Sequence, residues 1–171
     1  MIPTLKIITM RDVKPEPVEW LWEPYIPYGK IALIQGDPGD GKTTTAMAIA
    51  AAVSSGDALP GGYSTTPADV IVQNAEDGLN DTIVPRLTRF GADVDRVHFI
   101  DEDEMALTLS DERIEQSIIE KSAKLCILRP NPSLPRRRQY EQRQWRPSAN
   151  EAACGSGGAY RLCHAVSRAY E

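Results

Sequence analysis

The sequence predicts an α/β fold built on a parallel sheet, from three observations. Short apolar runs of strand length alternate along the chain with longer stretches of helical length. Between the first such run and the first such helix lies Gly36-Asp37-Pro38-Gly39-Asp40-Gly41-Lys42-Thr43, which satisfies G-x-x-x-x-G-K-[ST] at every fixed position. Charge is divided unevenly: up to Leu128, 11 Lys and Arg stand against 21 Asp and Glu, whereas from Arg129 onward 8 Arg stand against 3 Glu. The globular reading belongs to the acidic part, and the chain changes character at Leu128.

Residues 1–29 interleave Trp20, Trp22, Tyr25 and Tyr28 with Pro17, Pro24 and Pro27, a spacing that disfavours regular structure. They are expected to lie extended over the domain, with the aromatics covering a sheet edge in preference to stacking on a base. Residues 30–35 form a strand and 43–54, rich in Ala, Met and Ile, a buried helix. Residues 55–62 are a loop by composition, and 68–73 give a second strand ending in Asn74-Ala75-Glu76-Asp77-Gly78. Asn80 or Asp81 is expected to cap a helix to Phe90, with Pro85 tolerated near its first turn and Gly91 as the stop. Residues 97–100 make a third strand, followed by a solvated acidic loop at 101–104. Ser110 starts a helix with a capping box, in which Ser110-Asp111-Glu112-Arg113 offers the caps, Glu112 and Glu115 suit the first turns, and Ile114, Ile118 and Ile119 form the apolar stripe. Residues 124–128 read as a buried strand.

The glycine loop carries the chemistry. Between a strand and a helix, Gly36, Gly39 and Gly41 are expected to adopt positive φ values, so that successive backbone N–H groups curl around an anion. The helix start adds partial positive charge. Lys42 would reach the β and γ phosphates of a nucleotide, and the Thr43 hydroxyl would take a position on Mg²⁺. Pro38 stiffens the loop, while Asp37 and Asp40 oppose a polyphosphate and are expected to point outward. Glu76, just past a neighbouring strand, is placed to polarise a water attacking the γ-phosphate; the alternative is that Glu76 and Asp77 are turn and cap residues. Arg86 and Arg89 read as a solvated helix face, and His98 as a strand residue.

The bulk properties exclude other classes. At 171 residues and 42% hydrophobic content the chain supports one domain with a core. It has no stretch of membrane-spanning length and no secretion signal at residues 1–6, so a cytoplasmic protein is expected. Cys126, Cys154 and Cys163 lack C-x-x-C spacing, and His98 and His164 are not arranged around them, which argues against a disulfide framework and a zinc site.

Tyr28-Gly29-Lys30 leading into the loop and Thr44, then Asn74-Ala75-Glu76-Asp77-Gly78, then Leu125-Cys126-Ile127-Leu128, resemble the RecA-like P-loop ATPases over residues 18–128. The closest likeness is to the AAA-type, plasmid replicative-helicase (RepA-like) branch of phages and mobile elements. The resemblance implies ATP with Mg²⁺, hydrolysis coupled to work on single-stranded DNA in a homo-oligomeric ring, Lys42 and Thr43 as loop residues, and Glu76 as catalytic base. It also places a metal-holding Asp directly after the strand ending at Leu128. Arg129 stands there instead, which predicts impaired catalysis or, as the alternative function, a non-catalytic nucleotide-binding fragment.

The expected organisation is therefore an N-terminal segment at 1–29, a partial RecA-like domain at 30–128, and a tail at 129–171 foreign to the family. A reading frame shifted by one base at Leu128 permits a tail that begins Asp-Pro and reaches an apolar strand ending in Gly-His, which resembles the family's sensor strand. On this reading the core is incomplete: a strand between the loop strand and the one ending at Leu128 is missing, and the Arg-rich tail is disordered and unable to replace it. The Arg136-Arg137-Arg138 cluster then reads as a random basic tail in preference to a phosphate-backbone contact.

Overall fold

The computed structural model describes residues 7–74, 77–100 and 111–129 and the backbone of 160–163. In chain order, β1 (Trp20–Trp22) and β2 (Ile26–Pro27) form an antiparallel ribbon, β3 (Ile31–Ile34) enters the glycine loop, and α1 (Lys42–Ser55) leaves it. A second ribbon, β4 (Ala58–Leu59) with β5 (Tyr63–Ser64), precedes β6 (Val70–Asn74). Then come α2 (Val84–Arg89), β7 (Val97–Phe99), α3 (Glu112–Lys121), β8 (Leu125–Arg129) and β9 (Tyr160–Cys163).

The main sheet has the order β3-β9-β8-β6-β7. Strand β6 runs parallel to both β7 and β8, and β9 runs antiparallel to both β8 and β3. Two antiparallel steps make β3 parallel to β8. The C-terminal ends of β3, β6 and β8 therefore share one edge of the sheet, the edge at which open α/β sheets bind ligands.

Strand β9 corrects the expectation that the tail takes no part in the core. It fills the slot between β3 and β8, with Leu33 opposite Arg161 on one side and Leu128 opposite Arg161 on the other. The physical reason is that the gap exposes two rows of unpaired N–H and C=O groups, which any extended segment satisfies through its main chain. The remaining tail, Arg136-Arg137-Arg138 included, and the acidic run at 101–104 lie outside the described residues.

Side chains of β6 and β8 alternate between two apolar layers, as the strand period of two requires. Val70, Val72, Leu125 and Ile127 pack with Met47, Ile49 and Val53 of α1, while Ile71, Cys126 and Leu128 pack with Ile114 and Ile118 of α3. Helix α1 is buried on most of its surface, and its Ala46, Ala50 and Ala51 are fully covered. It ends at Gly56, whose φ of 80° and N–H to the Ala52 carbonyl (2.9 Å) make a left-handed cap. A Cβ at Gly56 would also lie 2.6 Å from Pro67 Cδ, so glycine is required on both counts.

Several local expectations need correction. The N-terminal segment is a ribbon whose Leu21 and Ile26 enter the core, and Trp22 Nε1 donates to the Pro60 carbonyl at 3.1 Å. The helix expected from Asn80 or Asp81 begins instead as a π turn, Leu79–Ile83, with the Thr82 and Ile83 amides donating to the Gly78 carbonyl and no side-chain cap. Regular α2 starts only at Val84, with Pro85 in its first turn, where its missing N–H costs nothing. On α3 the stripe is Ile114 and Ile118; Ile119 is 58% exposed. His98 lies in β7 with Nε2 2.8 Å from Asp69 Oδ1.

The cap of α3 is Asp111, which accepts from the Arg113 amide at 3.0 Å, while Ser110 lies outside the described residues. The Arg113 side-chain hydrogen bond, reinforced by its backbone N–H and its charge, holds the Asp111 carboxyl below its ordinary range against the opposing effect of partial burial. Asp111→Ala is expected to cost about 1 kcal/mol at neutral pH. Because the folded-state pKa is the depressed one, this contribution is complete above the unfolded carboxylate value of about 3.9 and is lost as pH falls through the folded value. Urea unfolding of both proteins at neutral pH and below pH 3 checks it: the difference should narrow in acid.

Candidate functional site

The loop between β3 and α1 has the conformation its glycines were read to permit, with one exception. Gly39 (φ 96°) and Gly41 (φ 77°) are left-handed, and Gly41 is the residue from which α1 springs. Gly36 has no positive φ; a Cβ there would stand 2.7 Å from Asp40 Oδ2, so the Asp40 carboxylate would have to move to admit one.

That proximity overturns a second expectation. The Asp40 carboxylate does not point away from the loop but accepts the Asp37 N–H at 2.6 Å. A short side chain beside a loop amide satisfies that donor locally, so the chain's own anion holds one of the groups available to a bound anion. Lys42, the first residue of α1, is only 8% exposed, and its Nζ donates to the carbonyls of Gly36 (2.9 Å) and Asp37 (2.5 Å). The ammonium is thus held at the loop by carbonyls that satisfy two of its three donors.

Beside the loop lies a polar cluster built by strand register. The parallel pairing of β6 with β8 puts Asn74 level with Arg129 at the C-terminal edge. The Arg129 amide donates to Gln73 Oε1 at 2.9 Å, which accounts for a polar side chain only 3% exposed. Asp77 Oδ2 then gathers three donors: the Asn74 side-chain amide (2.8 Å), the Thr43 hydroxyl (3.2 Å) and Arg129 Nη1 (3.4 Å). The side chains of Arg129 and Asp77 are 15% and 25% exposed, so this ion pair is partly withdrawn from water.

The cluster bears on where a divalent cation would sit. The Thr43 hydroxyl, read as a position on Mg²⁺, gives its proton to Asp77 and keeps lone pairs for a metal. Charge argues the other way, because Asp77, which accepts from the Thr43 hydroxyl, is already paired with a guanidinium. Thr43, Asp77 and Arg129 together supply no excess of negative charge to a divalent ion and fit a single positive charge instead, so most of the charge holding such an ion here would have to come from a bound polyphosphate.

Thr44 follows in the first turn of α1 and is exposed, Pro38 is exposed at the loop tip, and Glu76 lies outside the described residues. Arg86 and Arg89 are in the last turn of α2, with Arg89 exposed. Sequence reasoning missed Gln73 and Asn74 as members of the cluster, named Arg129 only as the residue standing where the resemblance places an Asp, and gave Asp77 only a turn or cap part. The available signal was the polar run after β6, but its meaning depends on which strand end stands beside it.

An apolar cleft of about 270 Å³ lined by Trp22, Tyr25, Leu33, Ile34, Thr45 and Ile49 adjoins this site, sharing Ile34 with the strand that feeds the loop and Thr45 with the first turn of α1. Another cleft of about 290 Å³, bordered by Trp20, Tyr28, Tyr63 and Lys124, opens where β8 begins, at the opposite edge of the sheet. There burial, followed by Tyr63 and Glu19, raises the Tyr28 hydroxyl above its ordinary pKa.

Among the described residues, no helix is long and apolar enough to cross a membrane. No curated protein and no solved structure matches the chain. A family model for the AAA domain matches residues 2–129, a span that includes the loop and ends on the arginine of the cluster, and the chain belongs to this AAA-domain family.

Proposed function

We propose that this chain binds ATP at the Gly36–Thr43 loop and turns it over slowly or not at all. The observation that carries the reading is Lys42, buried at the start of α1 with its ammonium on the Gly36 and Asp37 carbonyls, beside left-handed glycines and at the ligand-binding edge of the sheet. The apolar cleft at Trp22 and Tyr25 supports a nucleotide over a bare phosphate, because it offers two aromatic rings, 4.8 Å apart, in a cleft that Thr45 of the first turn of α1 also lines.

Glu76 is the proposed base, and the resemblance to RecA-like helicases supports ATP-driven work on single-stranded DNA in a ring as the function of the parent family. Arg129 in place of a metal-holding Asp opposes efficient hydrolysis in this chain. That the family match stops at residue 129, where the charge balance inverts, supports reading 129–171 as a shifted-frame ending.

Calorimetric titration of the full chain with ATP should show saturable binding to one site. A parallel phosphate-release assay should show turnover close to background, with or without single-stranded DNA. Absence of ATP binding would overturn the assignment, whereas DNA-stimulated turnover would overturn only its non-catalytic part.

A further inference from the structure

Resting on the ATP-binding reading, we propose that the Arg129 guanidinium takes the place of the divalent cation at this phosphate loop, so that the chain binds nucleoside triphosphate without Mg²⁺. Three observations converge on it. Arg129 Nη1 is 3.4 Å from Asp77 Oδ2, the same oxygen that accepts the Thr43 hydroxyl, so a positive charge already stands beside the residue that would ligate a metal. The position is fixed through the backbone, because the Arg129 amide is tied to buried Gln73 and β8 is paired with β6 up to Arg129 itself. The guanidinium is mostly withdrawn from solvent, where its charge is less screened than at an open surface.

The chemistry of the group suits the role. A guanidinium presents five N–H donors in a planar fork that matches a phosphate, and it remains charged at all accessible pH values. With Lys42 it supplies two positive charges at the loop. Asp77 orients the fork from one side, as a carboxylate does for an arginine committed to a second anion. A divalent ion brought to Thr43 would meet this guanidinium and a carboxylate whose charge is already balanced. These side chains therefore add little to what the phosphates themselves offer such an ion.

The test compares the affinity of the full-length chain for a fluorescent ATP analogue in saturating Mg²⁺ and in EDTA. The two dissociation constants are expected to agree within about threefold, and Arg129→Leu is expected to weaken binding in EDTA about tenfold while Mg²⁺ restores much of it. Arg129→Lys, which keeps the charge but loses the fork, should fall between them. Should a variant fail to fold, the wild-type comparison decides by itself. Wild-type binding that drops tenfold or more in EDTA overturns the inference and leaves ATP binding standing; no binding in either condition overturns both.

Discussion

Replacing Lys42 by alanine is expected to weaken ATP binding about a hundredfold while leaving the chain folded. The side chain now donates to the Gly36 and Asp37 carbonyls, and a bound nucleotide would draw the ammonium onto phosphate oxygens instead. Charge-assisted hydrogen bonds contribute about 1.5–3 kcal/mol each, so losing two of them to phosphate, offset by the contacts surrendered within the loop, leaves a deficit of about 3 kcal/mol. The cost to the fold is smaller. Gly36 and Asp37 end on a solvent-facing loop where water replaces the ammonium, and the burial of α1 rests on Met47, Ile49 and Val53. Thermal unfolding of the variant should stay close to the parent while its binding isotherm flattens. An affinity within threefold of the parent would mean that phosphate is not held at this loop.

The loop was legible because its requirements are local. Gly39 and Gly41 need left-handed backbone, Lys42 must stand at the helix start, and a strand must precede; each condition is written in consecutive residues. The two apolar layers were legible for a similar reason, since Val70-Ile71-Val72 and Leu125-Cys126-Ile127-Leu128 are hydrophobic at every position, as strands covered on both faces must be. What escaped depends on contacts distant in sequence or on competition between neighbours. Asp40 was expected to avoid the loop because it would repel a phosphate, but its short side chain reaches the Asp37 amide three residues back. The part played by Asp77 depends on a register that sets Asn74 level with Arg129 across 55 positions of chain, which no local pattern encodes. Among the residues at 110–113 read to offer caps, Asp111 takes the position because it reaches both the Arg113 amide and its guanidinium.

Strand β9 is the least legible element, and its test has the second large expected effect: Leu162→Pro should destabilise the chain by about 3 kcal/mol or more. Leu162 is opposite Ala32 of β3 on one side and Ile127 of β8 on the other, so it belongs to an interior strand with ladders on both flanks. Proline there removes a main-chain donor and sets a ring against a neighbouring strand, a combination found almost only at sheet edges. A total stability of about 5–15 kcal/mol makes this a large fraction of the whole. Leu162→Val keeps the N–H and favours extended backbone, so it should cost about 1 kcal/mol or less. The contrast between the two isolates the backbone, which is the part of β9 that composition cannot reveal: Tyr160-Arg161-Leu162-Cys163 stands in an Arg-rich tail with little else to mark it as a core strand. If urea unfolding gives equal midpoints for the proline variant and the parent, β3 and β8 do not draw their pairing from this segment. If the proline variant alone unfolds early, four residues from the tail close the sheet on which the loop and its arginine are mounted.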